Sequence, residues 1–434
     1  MDKDKWLYGA IPALLIHFSI GTVYCWSIFS NEISKYIGVS NSLTEWAFSL
    51  AIFFLGMSAA FLGNIVENNI HKSSLISLIC FCSGMFFTGF FIYLGGYYNQ
   101  NNISSYLPII GIYLSYGVIM GIGLGVGYIT PIKTLMLWFK DNKGLGTGIA
   151  VMGFGAAKAI ASPVMLYLMK KTNLYLMFII LSFMYLILMF IAHILLKKPE
   201  IYENNINENN VNNNVENNPI STFLKKYSLK NYIGIWIIFY LNISCGLALI
   251  SQEKMIVKCI GLVDFIGLIA IISSIFNAGG RLFLSMLGDK LKCRKSIYKL
   301  IFLGSAISLI LVILTNAIYN DSNILLQLIV LNSIFIINAG YGGGFSNIAT
   351  LLSDYYGMNC ISRLHGITLS AWAFAGLTGN QLANFIITNT GKFININDNI
   401  VNQKGYNNLF TVLTILYLFS LIITQFIFKN KNSN

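Results

Sequence analysis

The sequence predicts an all-α polytopic membrane protein, with twelve transmembrane helices in two six-helix halves. Three observations carry that prediction. First, 56% of the 434 residues come from the set AVILMFWYC and only 10% are charged, where an ordinary soluble domain has roughly a quarter charged. Second, that apolar share, about 243 residues, matches about twelve bilayer crossings at roughly 20 residues each. Third, the apolar runs fall into two sets of six around one polar stretch. A soluble enzyme is thereby nearly excluded. The net charge of +12 raises nucleic acid as a partner, but the basic residues lie between apolar runs rather than on one patch, so no nucleic-acid binding is expected.

The first run, 6–29, follows the polar opening MDKDK and lacks a small-residue cleavage site, so it is predicted to remain as the first span. Runs at 46–66, 73–97, 107–134, 144–169 and 173–196 complete an N-terminal half, residues 1–196, each long enough to cross. Residues 197–228 follow. Within them, 203–218 holds ten asparagines in sixteen positions and no aromatic, so this stretch cannot bury enough apolar surface to fold and reads as a disordered cytoplasmic linker. Deletion of residues 204–218 is expected to leave membrane insertion unchanged and transport near normal, as measured by expression and uptake. Loss of folded protein would contradict the six-plus-six division. Runs at 229–250, 261–287, 297–318, 324–352, 364–388 and 408–428 make the C-terminal half, residues 229–434.

With twelve spans, both termini and the loops after spans 2, 4, 6, 8 and 10 share one side. With Lys230 and Lys299, at the ends of their runs, counted with the adjoining loops, that side carries 18 of the 28 Lys and Arg, the other side 7, and the span interiors 3 (Lys133, Lys158, Arg281), which places the termini in the cytoplasm or its equivalent. Plasma membrane and organelle membrane, plastid or mitochondrial, both remain open. The halves resemble one another: Gly21 to Gly63 and Gly246 to Gly288 each span 42 positions. Each closing glycine precedes an acidic residue and then basic ones, Glu67 with His71 and Lys72, and Asp289 with Lys290, Arg294 and Lys295. Parallel repeats of this kind mark transporters whose substrate site lies at the repeat interface near the midplane.

Arg281 lies eight residues before Asp289, about 12 Å along a helix at roughly 1.5 Å per residue, and therefore near the midplane. Arginine there costs roughly 2.5–3.5 kcal/mol on insertion scales, so it must face a cavity or a partner. Ser274, Asn277, Arg281 and Ser285 form one polar stripe at helical spacing, which makes Asn277 a second candidate. The plainer alternative is an arginine that braces the halves through carbonyls. Lys158, fourteen residues past Gly144 and about 21 Å into its span, is too deep to snorkel easily and is a candidate substrate contact; a structural pairing is its alternative. Lys133 is close enough to Lys140 to reach the cytoplasmic interface. No Asp or Glu falls in the middle of these spans, so an anionic substrate that accepts the fork of Arg281 fits best. His17, about 18 Å into the first span, shares a face with Gly21 and Tyr24. It is the one mid-span group that ordinarily titrates near neutral pH, a candidate for proton coupling beside the plainer role of structural donor.

Seven cysteines (Cys25, Cys80, Cys82, Cys245, Cys259, Cys293, Cys360) form an odd set without metal-ligand spacing, so no disulfide framework, metal or cofactor is expected. Gly121, Gly123, Gly125 and Gly127 overlap as two GxxxG patterns, with Gly340, Gly342, Gly343 and Gly344 in the tenth span; close helix packing is their first reading.

The loop LGDKLKCRK, 287–295, resembles the signature after the eighth helix of the major facilitator superfamily, although Ser285 and Lys292 stand where glycines are usual. GNIVENNIHK from Gly63 is a more degraded first-half copy, so the resemblance covers essentially the whole chain. More narrowly, VYCWSIFSN from Val23, GYITPIKTLMLWFKDNKGLGTG from Gly127, SIFNAGGR ending at Arg281 and SDYYG from Ser353 are similar to the oxalate:formate antiporter branch and its monocarboxylate-transporter relatives. The resemblance implies the major facilitator fold, a substrate-binding arginine at Arg281, and cavity positions at Tyr24, Tyr128, Tyr341 and Trp372. Phe154 and Phe345 stand where the antiporter pattern has tyrosine. One departure matters: the pattern's lysine in the eleventh helix, which with the arginine clamps both ends of a dicarboxylate, is Trp372 here.

The expected function is secondary transport of a small organic anion by alternating access, a monocarboxylate such as pyruvate, lactate or formate, with a co-transported proton or an exchanged anion. Lys158 as a second pole would instead make the chain an oxalate or dicarboxylate exchanger. A neutral-nutrient transporter with a structural Arg281 and a non-transporting receptor are further alternatives. An enzyme is not expected, because no nucleophile or acid–base set stands at a working spacing. The expected partners are the carboxylate and the lipid bilayer, with the chain acting as a monomer or with an unknown subunit.

Overall fold

Among the described residues of the computed structural model, twelve long helices follow one another. They are α1 (Lys5–Ile37), α2 (Asn41–Asn68), α3 (Ile70–Gln100), α4 (Leu107–Trp138), α5 (Lys143–Lys171), α6 (Leu174–Leu195), α7 (Leu229–Cys259), α8 (Ile266–Leu291), α9 (Arg294–Ile318), α10 (Ile324–Tyr356), α11 (Ile361–Thr390) and α12 (Gln403–Ile427). The structure describes residues 2–199, 229–291, 294–318, 324–358, 360–390, 394–396, 399–401 and 403–427; most of the predicted linker and Cys293 lie outside them. Each predicted apolar run coincides with one helix to within a few residues, apart from the longer overruns at helix ends. The fold is all-α as expected; a short antiparallel ribbon, β1 (Ile394–Ile396) paired with β2 (Asn399–Val401) in the register Ile394 to Val401, lies between α11 and α12. The alternating Ile–Asn–Ile of β1 suits a strand rather than a helix.

Eleven of the twelve helices are long and apolar enough to cross a membrane, and the chain is a multi-pass integral membrane protein. The exception is α11, which carries Arg363, His365, Asn380, Gln381 and Asn384 among its apolar residues. A correction concerns α7. It continues nine residues beyond the predicted run, because Gln252, Glu253 and Lys254 are good helix formers. Glu253, beyond the predicted run, thus lies inside α7 near its C-terminal end rather than in a loop. Glu253 accepts a hydrogen bond from Ser273 Oγ of α8 at 2.8 Å.

Packing divides the described chain into two compact units: Met1–Glu216 with Leu352–Ala373, and Asn217–Leu351 with Phe374–Asn434. The start of α11 therefore packs in the first unit, whereas the sequence division assigns it to the C-terminal half. Small residues make this approach possible. A Cβ on Gly366 would lie 2.1 Å from the Ala59 carbonyl of α2, and one on Gly56 would lie 2.5 Å from the Leu369 carbonyl.

The α4 glycines act as a two-sided wedge. Gly121 and Gly125 face α2, where added Cβ atoms would lie 2.8 Å from Phe54 Cβ and 2.1 Å from the Leu55 carbonyl. Gly123 and Gly127 face α3, at 2.5 Å from Phe81 N and 2.2 Å from Ser77 Oγ. Helices that approach this closely gain van der Waals contact, the main attraction available in lipid. α1 ends at Gly38, whose φ of +72° closes a left-handed cap with Val39 N donating to the Ser34 carbonyl at 3.1 Å.

Candidate functional site

In the first unit the predicted residues converge around Phe154 of α5. Its ring meets Tyr24 of α1 at 5.3 Å, Tyr128 of α4 at 5.4 Å and Trp372 of α11 at 5.7 Å between centroids, all edge-on. Trp372 and Tyr128 also touch, at 5.4 Å. Phe154, Tyr128 and Trp372 are fully buried, and Tyr24 is half-buried. Edge-to-face aromatic pairs of this kind contribute about 0.5–1.5 kcal/mol each beyond area burial. Gly21 makes the cluster possible: a Cβ there would lie 2.4 Å from the Phe154 carbonyl, so only glycine lets α1 close on α5.

His17 lies under Tyr128, its ring stacked at 5.2 Å and 14°. Nδ1 lies 2.5 Å from the Ala150 carbonyl and Nε2 3.0 Å from the Tyr128 carbonyl. Lys158 stands one turn beyond Phe154 on α5, about 6 Å along the helix. It is half-buried; its Nζ donates to Ser27 Oγ of α1 at 3.4 Å, and it forms no ion pair with a described carboxylate.

In the second unit, Arg281, Asn277 and Tyr341 come together. Arg281 is fully buried on α8. Its Nε donates to Asn277 Oδ1 at 2.9 Å, and its guanidinium carbon stands 5.3 Å from the Phe345 ring of α10, a cation–π arrangement. Tyr341, one turn before Phe345, meets it at 5.1 Å and lies over Gly246 of α7, where a Cβ would be 2.4 Å from the ring. Gly342 brings α10 against α8 at the arginine itself: a Cβ would fall 2.2 Å from the Asn277 carbonyl and 3.0 Å from Arg281 Cγ. Ser285 donates to the Arg281 carbonyl at 2.6 Å, whereas Ser274 bonds back to Ala270 on its own helix.

The Major Facilitator Superfamily matches residues 13–380. The chain belongs to that superfamily. It is 22% identical over 389 residues to the oxalate:formate antiporter of Oxalobacter formigenes, covering 89% of this chain and 86% of that one. It is also 22% identical over 201 residues to apicoplast pyruvate carrier 1 of Toxoplasma gondii, covering 37% and 35%. Among solved structures, a bacterial homologue of the iron transporter ferroportin shares the fold with a TM-score of 0.71 at 12% identity, over 96% of this chain and 98% of that one. Membership makes the chain a small-molecule transporter by family, as expected from its composition and repeat.

This member of the superfamily holds its first-half loop by an ion pair. Lys133 of α4, expected to reach the membrane interface, is instead buried and paired with Glu67 of α2. The other carboxylate oxygen of Glu67 accepts from the backbone N–H of Ser362 at 2.8 Å, at the first turn of α11, where a negative group also meets the helix dipole. Asp289 and Arg294 form the corresponding buried pair in the second unit. Glu67→Ala would strand the Lys133 ammonium and uncap α11, so a loss of about 3–5 kcal/mol is expected, as for breaking a buried pair. Glu67→Gln, which keeps an acceptor for Ser362, should lose less. Thermal unfolding of the purified proteins in detergent measures both, and an unchanged midpoint in Glu67→Ala would show the pair to be energetically idle.

Sequence reasoning missed the capping role of Glu67 and the placement of His365 beside, but outside, the aromatic cluster. His365 is buried on α11, its ring 6.1 Å from Tyr128, with Nε2 lacking a hydrogen-bond partner. Nothing in the sequence alone singled it out.

Proposed function

We propose that this chain is a secondary transporter of a small monocarboxylate, such as pyruvate, lactate or formate, with Arg281 as the carboxylate-binding group. The observation that carries the reading is a fully buried arginine on α8 whose guanidinium plane is set by Asn277 and Phe345. A planar fork held in this way suits two parallel hydrogen bonds to one carboxylate. The names of the relatives, an oxalate:formate antiporter and a pyruvate carrier, support an organic anion. Trp372 stands where the antiporter pattern has its second cation, which supports a substrate with one charge.

The test is transport of labelled mono- and dicarboxylates by proteoliposomes containing the purified protein. Monocarboxylate counterflow that disappears in Arg281→Ala is the expected result. Uptake of neutral nutrients with no carboxylate flux would overturn the reading and leave Arg281 as a brace. A second reading, a dicarboxylate exchanger, is favoured by Lys158, which has no ion-pair partner among the described carboxylates. There, Lys158→Ala would abolish dicarboxylate transport and spare monocarboxylate transport, because only the former needs two cationic poles.

A further inference from the structure

Two buried histidines of the first unit take no part in carboxylate recognition as proposed above. They lie on either side of one tyrosine: the Tyr128 ring is 5.2 Å from His17 and 6.1 Å from His365. We propose that His17 and His365 form a proton-binding pair that couples proton movement to carboxylate transport; this rests on the transport reading.

The surroundings of His17 carry the first half of the argument. Both of its ring nitrogens face backbone carbonyls, Ala150 O and Tyr128 O, and a carbonyl only accepts. A neutral imidazole has one N–H and makes one of these bonds, whereas the imidazolium makes both. The site is thus shaped for the proton-bound ring. His365 carries the second half. Its Nε2 is buried without a hydrogen-bond partner, in a tightly packed crevice lined by Ile129, Lys133, Met136 and Ser362 among others. That position has room for a proton but no partner to satisfy it in this state.

The charged and titratable groups around His365 define the consequence of moving the proton. From α1 it faces His17; from α4, Tyr128 and Lys133; from α2, Glu67 through its pair with Lys133; just ahead of α11, Cys360 lies near both Lys133 and Arg363; and beyond Lys133 lies Lys198. Two imidazolium ions on either side of one buried ring repel, so the pair holds one proton at a time. A proton arriving at His365 sets a new cation near the carboxylate that caps α11 through Ser362, three residues before His365. Protonation is thereby tied to the seating of α11 in its unit. One proton carried with one carboxylate also leaves the cargo electrically neutral.

The experiment uses the full chain in proteoliposomes, pyruvate as probe and a pH-sensitive dye in the lumen. Wild-type protein is expected to acidify the lumen on pyruvate addition. His365→Gln should lose that acidification, and accumulation driven by an inward proton gradient, at least tenfold, while pyruvate–pyruvate exchange stays within about twofold. Retained exchange also certifies the fold. Acidification by His365→Gln at the wild-type rate would overturn the proposal, as would wild-type exchange without acidification, which would leave the transport reading standing. Loss of exchange in both His365→Gln and His365→Asn would make the residue structural and likewise overturn it. Absence of any carboxylate flux in wild-type protein would instead sink the transport reading itself.

Discussion

Arg281→Lys is expected to lower carboxylate transport at least tenfold while expression and membrane insertion stay normal. Lysine keeps the positive charge, so a residue acting only as a diffuse charge would tolerate the change. It loses the planar five-donor fork, and with it the Nε contact to Asn277 that fixes the plane of the group. A hydrogen bond to a charged group contributes about 1.5–3 kcal/mol. At about 1.4 kcal/mol per tenfold, loss of one such bond is already a factor of ten or more. The cation–π contact with Phe345 also changes, because a compact, strongly hydrated ammonium does not lie flat over a ring as guanidinium does. Initial rates of labelled pyruvate uptake, normalised to reconstituted protein, measure the effect. Rates near wild type would assign Arg281 a structural role or a diffuse electrostatic one. Loss of the protein from the membrane would point to the bracing role, since a brace fails at folding before it fails at transport.

The fold was legible because lipid leaves few choices. Backbone groups in hydrocarbon must be satisfied within the segment, so each apolar run of sufficient length becomes a helix, and the twelve runs became α1 to α12. Helix ends were less legible. α7 outruns its apolar run to Cys259 because polar residues with good helix propensity follow, and this hid Glu253. α11 was read as an apolar run at 364–388, although the helix that forms there is too polar to count among the apolar membrane-crossing helices. At the site, Arg281 and Lys158 announced themselves by the cost of burying charge, and Asn277 by its four-residue spacing from Arg281. Lys133 misled, because nothing in one sequence shows that Glu67 lies against it or that Glu67 also caps α11. His365 was invisible for a similar reason. Its interest lies in the Tyr128 ring and the histidine on the far side of it, a juxtaposition created by α11 packing in the first unit.

Trp372→Lys is expected to admit oxalate, which the wild-type protein should reject. Trp372 is fully buried and meets Tyr128 and Phe154 edge-on, so a second carboxylate brought beside it would lose its water and gain no charged partner. Such desolvation without compensation is a strong basis for rejection. A lysine at this position restores the cation that the antiporter pattern carries there, and the flanking rings of Tyr128 and Phe154 offer it cation–π contacts in place of water. Pairing the second charge contributes about 1.5–3 kcal/mol, so labelled oxalate uptake should rise at least tenfold in Trp372→Lys. Formate and pyruvate transport should fall in the same variant, since a single-charge substrate would leave the new ammonium buried and unpaired. Competition between labelled oxalate and unlabelled monocarboxylates, measured on both proteins in proteoliposomes, reads the switch directly. Robust oxalate exchange by the unmodified protein would remove Trp372 from this role and transfer the second pole to Lys158. In that case Lys158→Ala, and not any change at Trp372, would abolish the oxalate flux while sparing the monocarboxylate flux.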